Sequence, residues 1–310
     1  MNNKLIRSIN NLSPGAQQYK LGNLLAEAEG IRVRNPELIR YIAERSGSGD
    51  GTSRDTAFNN FTDGINWLNE NTDKGATLIV MPGFYIEKAS DIPMLTANDC
   101  LIMGLDLPEQ TVLFGSGLRG SIAEATDDLL KIKGGRNYIY GLGLYVHKDT
   151  KSCILFDDTG AGYAGSFNRI EGCYFSPQAQ DGMGYGIKYL GGNVNQIINN
   201  IFYGTKEAAI HMGSQVGNPV RNIIAGNEFV GTHIGVNIDC ANYNTHIKNN
   251  LFSEGTQANE DMTNAIVITA SMSAGKVFVT QNIFEQTTVN DISDSKTGGE
   301  VIEIDNKNGV

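Results

Sequence analysis

Short apolar runs recur along this chain, and each ends on a phenylalanine. The runs close at Phe175, Phe202, Phe229, Phe252 and Phe284, at separations of 27, 27, 23 and 32 residues. Five positions before each ring stands an aliphatic residue: Ile170, Ile197, Ile224, Ile247 and Val279. Two positions before it stands Asn200, Asn227, Asn250 or Asn282, with Cys173 in the first copy. Seven positions before it Asn168, Asn195 and Asn222 give way to Thr245 and Val277. Asn137, Ile139 and Leu144 fill the same slots one unit upstream. A second set of short β-branched runs follows the copies: GIKYL (186–190), AAIHM (208–212), GVNID (235–239), AIVIT (265–269) and VIEI (301–304). Alternation over so few residues predicts strands. The uneven distance from ring to second strand predicts loops of different length at one corner.

A variable period with fixed slots predicts a solenoid whose coils each contribute a few strands. Leucine-rich repeats lack their Leu register here, one tryptophan excludes a Trp-Asp propeller, and the β-branched slots exclude helical repeats. The expected fold is therefore all-β: a right-handed parallel β-helix from about Thr77 to Ile304. Strands stack ~4.8 Å apart, so a residue that recurs in every coil lies over its own equivalent. Phe175, Phe202, Phe229, Phe252 and Phe284 are then a core stack. Asn200, Asn227, Asn250 and Asn282 are a structural side-chain ladder at one corner, a reading preferred to an asparagine row lining a sugar groove.

Ahead of the repeat, residues 46–76 read as a cap made of a turn and an amphipathic helix. Asp55 or Thr56 suits the helix N-cap, and Phe58, Phe61, Ile65 and Leu68 share one face. An open solenoid end exposes core and strand edges, and such a helix covers both. Residues 1–45 form a helical extension for attachment or further capping, ahead of the β-helix at 77–310. One helix is expected over Gln17–Ala28. A second start at Asn35-Pro36 competes with a lead-in strand at Tyr41-Ile42-Ala43. Leu21, Leu24, Leu25, Leu38 and Ile42 make up the apolar stripes of a docking element.

Composition narrows the chemistry. Gly stands at 37 and Pro at 7, as expected for many tight turns between short strands. A net charge of −10 argues against a nucleic-acid surface, which needs clustered Lys and Arg. Cys100, Cys153, Cys173 and Cys240 form no CxxC pair and read as small buried hydrophobes, so no metal and no cofactor are expected. No stretch has the length of a membrane span. The start, MNNKLIRSINNLS, lacks the apolar run of a signal peptide.

The cap segment carries the most specific motifs. Gly49-Asp50-Gly51-Thr52, then Asp55-Thr56-Ala57-Phe58, then Val80, Pro82, Gly83 and Tyr85 resemble the opening of the pectate-lyase-like β-helix superfamily, phage tailspikes included. Proline follows Met81 directly and glycine follows it without a spacer, a small departure. The resemblance covers roughly residues 41–305. It implies the fold, but the superfamily contains lyases, hydrolases, epimerases and inert spikes alike. Glycosidases on such folds use two carboxylates ~5–5.5 or ~6.5–9.5 Å apart. The candidates here are Asp127-Asp128 and Asp157-Asp158, 30 residues apart, with Asp128, Asp157 and Asp158 the acids to test. The Asn-Thr-Asp, Gly-His-Gly and Arg-Ile-Lys elements of polygalacturonase-like enzymes do not occur. The expectation is a structural surface protein of a phage virion: a head decoration, fibre or short tail spike, made in the host cytoplasm. The resemblance implies a homotrimer, contacts with other virion proteins through residues 1–45, and a host surface glycan as a further partner. The alternative is a tailspike-like polysaccharide hydrolase or lyase.

Overall fold

The computed structural model describes residues 35–44, 49–105, 111–115, 127–146, 150–157, 165–177, 183–213, 219–255, 262–269, 271–285 and 290–308. Leu21, Leu24, Leu25 and the helix expected over 17–28 lie outside them. The described residues build three sheets, and every strand pairs in parallel with the equivalent strand of the coils before and after it. The first sheet has ten strands, from Ile39–Ile42 to Glu300–Ile304. The second has nine, from Gly83–Glu87 to Lys307–Asn308. The third has seven, from Leu130–Ile132 to Asn290–Asp294. The fold is a right-handed parallel β-helix with one short helix among the described residues.

Each repeat seen in the sequence spans two strands and the corner between them. Ile170, Ile197, Ile224 and Ile247 align in the first sheet, and Phe175, Phe202, Phe229, Phe252 and Phe284 align in the second. Because register fixes the ring spacing, the phenylalanines stack nearly flat. Their centroids lie 4.5, 5.1, 4.6 and 5.3 Å apart. The third sheet leaves room for them: a Cβ on Gly186 or Gly235 would stand 2.6 or 2.5 Å from the ring of Phe202 or Phe252. In the last coil the slot after Phe284 holds Asn308 and the slot after Val279 holds Glu303, so the apolar column ends on polar residues.

Asparagines hold two corners, not one. Between the first and second sheets a left-handed residue (Gly172, Asn199, Gly226, Asn249 or Gln281) precedes the slot of Cys173, Asn200, Asn227, Asn250 and Asn282. Between the third and first sheets the pattern repeats, with Arg136, Phe167, Val194 and Arg221 left-handed before Asn137, Asn168, Asn195 and Asn222. In both rows each Oδ1 accepts the backbone N–H of the equivalent residue one coil back, at 2.8–3.0 Å for Asn168, Asn195, Asn200 and Asn227. Except at Asn222, the Nδ2 reaches a carbonyl of that preceding coil, as Asn195 does to Gly165 and Asn227 to Ile197, both at 2.9 Å.

Three expectations need correction. The solenoid begins at Ile39–Ile42, which pairs with Thr77–Val80, so the lead-in strand prevails over a second helix. Ile42 is fully buried in the main core and so is not available for docking, while Leu38 is half-buried and packs against that core. The physical reason is continuity: Ile42, Leu78 and Val80 share the apolar interior that α1 closes. That helix, α1, spans Phe61–Glu70 and starts at Asn60, whose Oδ1 accepts from Asp63 N at 2.7 Å. Asp55 and Thr56 do not cap it. Residues 49–58 instead run along the free edge of Ile39–Ile42, where Tyr41 N donates to Gly51 O and Phe58 N to Tyr41 O, both at 2.9 Å. Glu87 holds the start of α1, its carboxylate accepting the N–H groups of Phe61 and Thr62. Finally, VIEI belongs to the first sheet beside Gly275–Thr280. The third-sheet strand of that coil is Asn290–Asp294.

Candidate functional site

Of the acids chosen from the sequence, Asp128 and Asp157 do not converge. Asp128 lies level with Ser152 at the entry of the third sheet, where its Oδ1 accepts from Ser152 N at 2.8 Å and Oγ at 2.7 Å. Asp127 pairs with Lys131 at 2.7 Å. Asp157 follows Phe156 at the exit of the neighbouring strand, which aligns with Ile132. Five residues of extended chain separate the levels of Asp128 and Asp157, about 16 Å, beyond either glycosidase spacing. Thirty residues of sequence suggested one coil, but the coil here is 24 residues in the third sheet. Asp158 lies outside the described residues. Among those residues no group of three or more His, Cys, Asp and Glu is placed to hold a metal, and all four cysteines are buried and free. No helix among them is long and apolar enough to cross a membrane.

The outer face of the third sheet does gather polar and aromatic groups that the sequence reading left unassigned. Lys188, His211, Asn237 and Val267 form one outward column. Tyr185 stands beside it, its ring centroid 5.3 Å from that of His211 and 4.9 Å beneath Lys188 Nζ. Asn237 Nδ2 and His211 Nδ1 pair at 3.2 Å, while Asn237 Oδ1 is buried without a hydrogen-bond partner. Asp239 closes the group and accepts from Thr269 Oγ1. Burial and then the Lys188 charge push the His211 pKa down, with Asp239 opposing, so the ring is biased towards neutrality. The Thr269 hydroxyl bond is the largest influence lowering Asp239. A flat ring, a cation, a neutral imidazole and an amide on one plane suit stacking and hydrogen bonding to a polyhydroxylated ligand. The signal was present in the second-strand runs: GIKYL, AAIHM and GVNID carry Lys188, His211 and Asn237 in slots that coincide once the coils are aligned.

With the geometry in hand, the chain can be set beside known proteins. No protein-family model and no curated protein matches it. Among solved structures it is similar to a pectin methylesterase mutant in complex with a hexasaccharide, at a TM-score of 0.46 and 9% identity over 82% of this chain and 80% of that one. It is similar to a tailspike protein mutant of E. coli bacteriophage HK620 in complex with a pentasaccharide, at 0.40 and 13% over 97% of this chain and 63% of that one. It is also similar to pectate lyase Pel9A, at 0.41 and 16% over 88% and 77%. The chain is a parallel β-helix. That statement rests on its own strand registers alone.

Proposed function

We propose that this chain is the stiff body of a phage-type virion surface structure, a decoration, fibre or short spike, built from several copies of itself. The observation that supports the reading most is the paired asparagine rows around a stacked core: side-chain hydrogen bonds are spent on rigidity at two corners of successive coils. The separation of Asp128 from Asp157 adds to it, since these acids cannot share one glycosidic bond. The attachment element then lies before Asn35, because Ile39–Ile42 is part of the solenoid. The test removes residues 1–34 from the virion protein. The truncated chain should keep its β-helix and fail to join particles, and normal incorporation would sink the attachment role.

A second reading draws on the third-sheet cluster. Tyr185, Lys188, His211 and Asn237 offer a surface for a host glycan, with or without cleavage. Incubation with host surface polysaccharide should give binding that Tyr185→Ala weakens at least ten-fold, without new reducing ends or unsaturated sugars. Release of such ends would favour the hydrolase or lyase instead.

A further inference from the structure

The corner between the third and first sheets differs from the other ladder corner in the residues that turn it. A left-handed backbone favours glycine or asparagine, and Gly172, Asn199, Gly226 and Asn249 supply them between the first and second sheets. Here Arg136 and Phe167 hold the same conformation, at φ 60° and 61°. Bulky side chains kept against the backbone preference point to a surface with a use. Beside them a cavity of about 430 Å³ opens on the outer face of the first sheet. Its floor is one column of aligned residues, Thr77, Leu101, Tyr138 and Arg169, over about 14 Å. Thr77 is fully buried there, and its hydroxyl has no hydrogen-bond partner. Buried hydroxyls are paired as a rule, so Thr77 marks where a polar group of an occupant belongs. Arg169 is committed to Glu171 at 2.6 Å and lies over the Tyr138 ring. At the rim Asp73 and Asp99 share one cation, Arg136, at 2.9 Å each, which leaves one negative charge in excess.

We propose that this cavity seats residues 31–34 of the same chain, Ile31-Arg32-Val33-Arg34, as an extended segment. These residues lie outside the described ones. The inference rests on the attachment role proposed above, and it fixes where the attachment element leaves the body. The path of the chain carries it. Asn35 is held at the mouth of the cavity, where its Nδ2 donates to Lys74 O and its Oδ1 accepts from Glu37 N, both at 3.1 Å. Gly75, the residue after Lys74, is part of the cavity wall. Four extended residues span about 13 Å, the length of the floor. Alternation sets Ile31 and Val33 on one side, against Leu101 and the Tyr138 ring. It sets Arg32 and Arg34 on the other, towards Asp73 and Asp99, where the excess charge is negative. A backbone group of the segment is then the partner of the Thr77 hydroxyl. Ion pairs at a partly exposed rim contribute little to stability, so the seat sets direction and does not strengthen the coils.

Trypsin reads the seat directly, because it cuts after Arg32 and Arg34. In the full chain both sites should be cut at least ten-fold more slowly than in a free peptide of residues 27–38, with the products identified by mass. Thr77→Val keeps the shape and removes only the hydroxyl, so it should speed this cleavage several-fold at an unchanged urea midpoint. Arg32→Cys combined with Asp99→Cys should close an intramolecular disulfide on oxidation, which needs no folded Thr77→Val variant. Cleavage of the full chain at the rate of the peptide overturns the seat, and the attachment role survives that result if chains lacking residues 1–34 fail to join particles. Protection at Arg32 alongside normal incorporation of the truncated chain removes the attachment role and leaves the seat.

Discussion

Replacing Asn227 by alanine tests the ladder where its partners can be counted. Asn227 Oδ1 accepts the backbone N–H and the Nδ2 of Asn200, both at 3.0 Å. Its Nδ2 donates to Ile197 O at 2.9 Å and to Asn250 Oδ1 at 3.0 Å. In Asn227→Ala three of the four groups keep another partner: Asn200 Nδ2 still reaches Ile170 O, Asn250 Oδ1 still accepts Asn227 N, and Ile197 O keeps the ladder bond of its strand register. One backbone group is stripped, the Asn200 N–H, at about 1–3 kcal/mol, and the Ile197 carbonyl loses its second donor. Relief from burying the amide itself offsets the lost side-chain bonds, leaving a net loss of about 1–3 kcal/mol. Asn222 provides the internal comparison. Its Oδ1 accepts from Asn195 N at 2.9 Å, but its Nδ2 has no partner, so Asn222→Ala strips one group and costs about 1–3 kcal/mol. Urea unfolding followed by circular dichroism reads the whole solenoid, while the lone tryptophan, Trp67, reads the α1 end. Separate transitions would show coil-by-coil unfolding. Equal midpoints for Asn227→Ala and the unmodified chain would refute the ladder, and a larger cost at Asn222 would refute the partner accounting.

Further substitutions probe other parts of the same logic. Gly235→Ala places a Cβ 2.5 Å from the Phe252 ring and 2.6 Å from Ala265 O, so it should destabilise by about 1–3 kcal/mol, and an unchanged urea midpoint would deny the tight fit. Val194 is β-branched at φ 57°, so Val194→Asn should raise stability by about 1 kcal/mol; a lowered midpoint would show that the valine side chain contributes more than the strain costs. His211 has a folded pKa below its usual 6.5, so the unfolded chain binds the proton first and its contribution to stability fades as pH falls below about 6.5. His211→Gln should flatten that part of the stability–pH curve, and an unaltered slope between pH 7 and 5 would remove the assignment. Removal of residues 1–34 should leave the urea midpoint within about 0.5 kcal/mol, whereas removal through residue 44 takes the first strand away and should lower it sharply.

The core of this fold was legible because parallel stacking converts sequence slots into vertical columns. Phe202 over Phe229 and Ile197 over Ile224 follow from counting backwards from each ring, whatever the loops do in between. What failed was anything that depended on the length of a coil. Asp128 and Asp157 looked one turn apart at 30 residues, but the third sheet closes that turn in 24, while the first sheet takes 31 between Ile139 and Ile170. VIEI was misplaced for the same reason, since a short β-branched run does not say which of three faces it joins. The helix start was missed because Asp55 and Thr56 have good capping chemistry but are committed elsewhere, to a turn in which Thr56 Oγ1 meets Ser53 Oγ and Thr52 Oγ1, both at 3.0 Å.

Asparagine fills both ladder rows for a reason visible only when backbone and side chain are taken together. Each ladder residue follows a left-handed residue that turns the chain sharply between sheets, at Phe167, Val194, Asn199 and Asn249 among others. Such a turn leaves a buried N–H at the corner without a strand partner, beside a carbonyl of the preceding coil that can accept a further hydrogen bond. A side chain with one acceptor and one donor on the same short stem satisfies both at once; serine lacks the reach and aspartate lacks the donor. The substitutions at the ends of the rows fit this requirement. Cys173 opens one row because its own N–H is served by Asn200 below, and Thr245 follows Asn222 with its hydroxyl unpartnered, where the row is giving out. Stiffness is thus concentrated in the middle coils, from Asn195 to Asn227, where both rows run together.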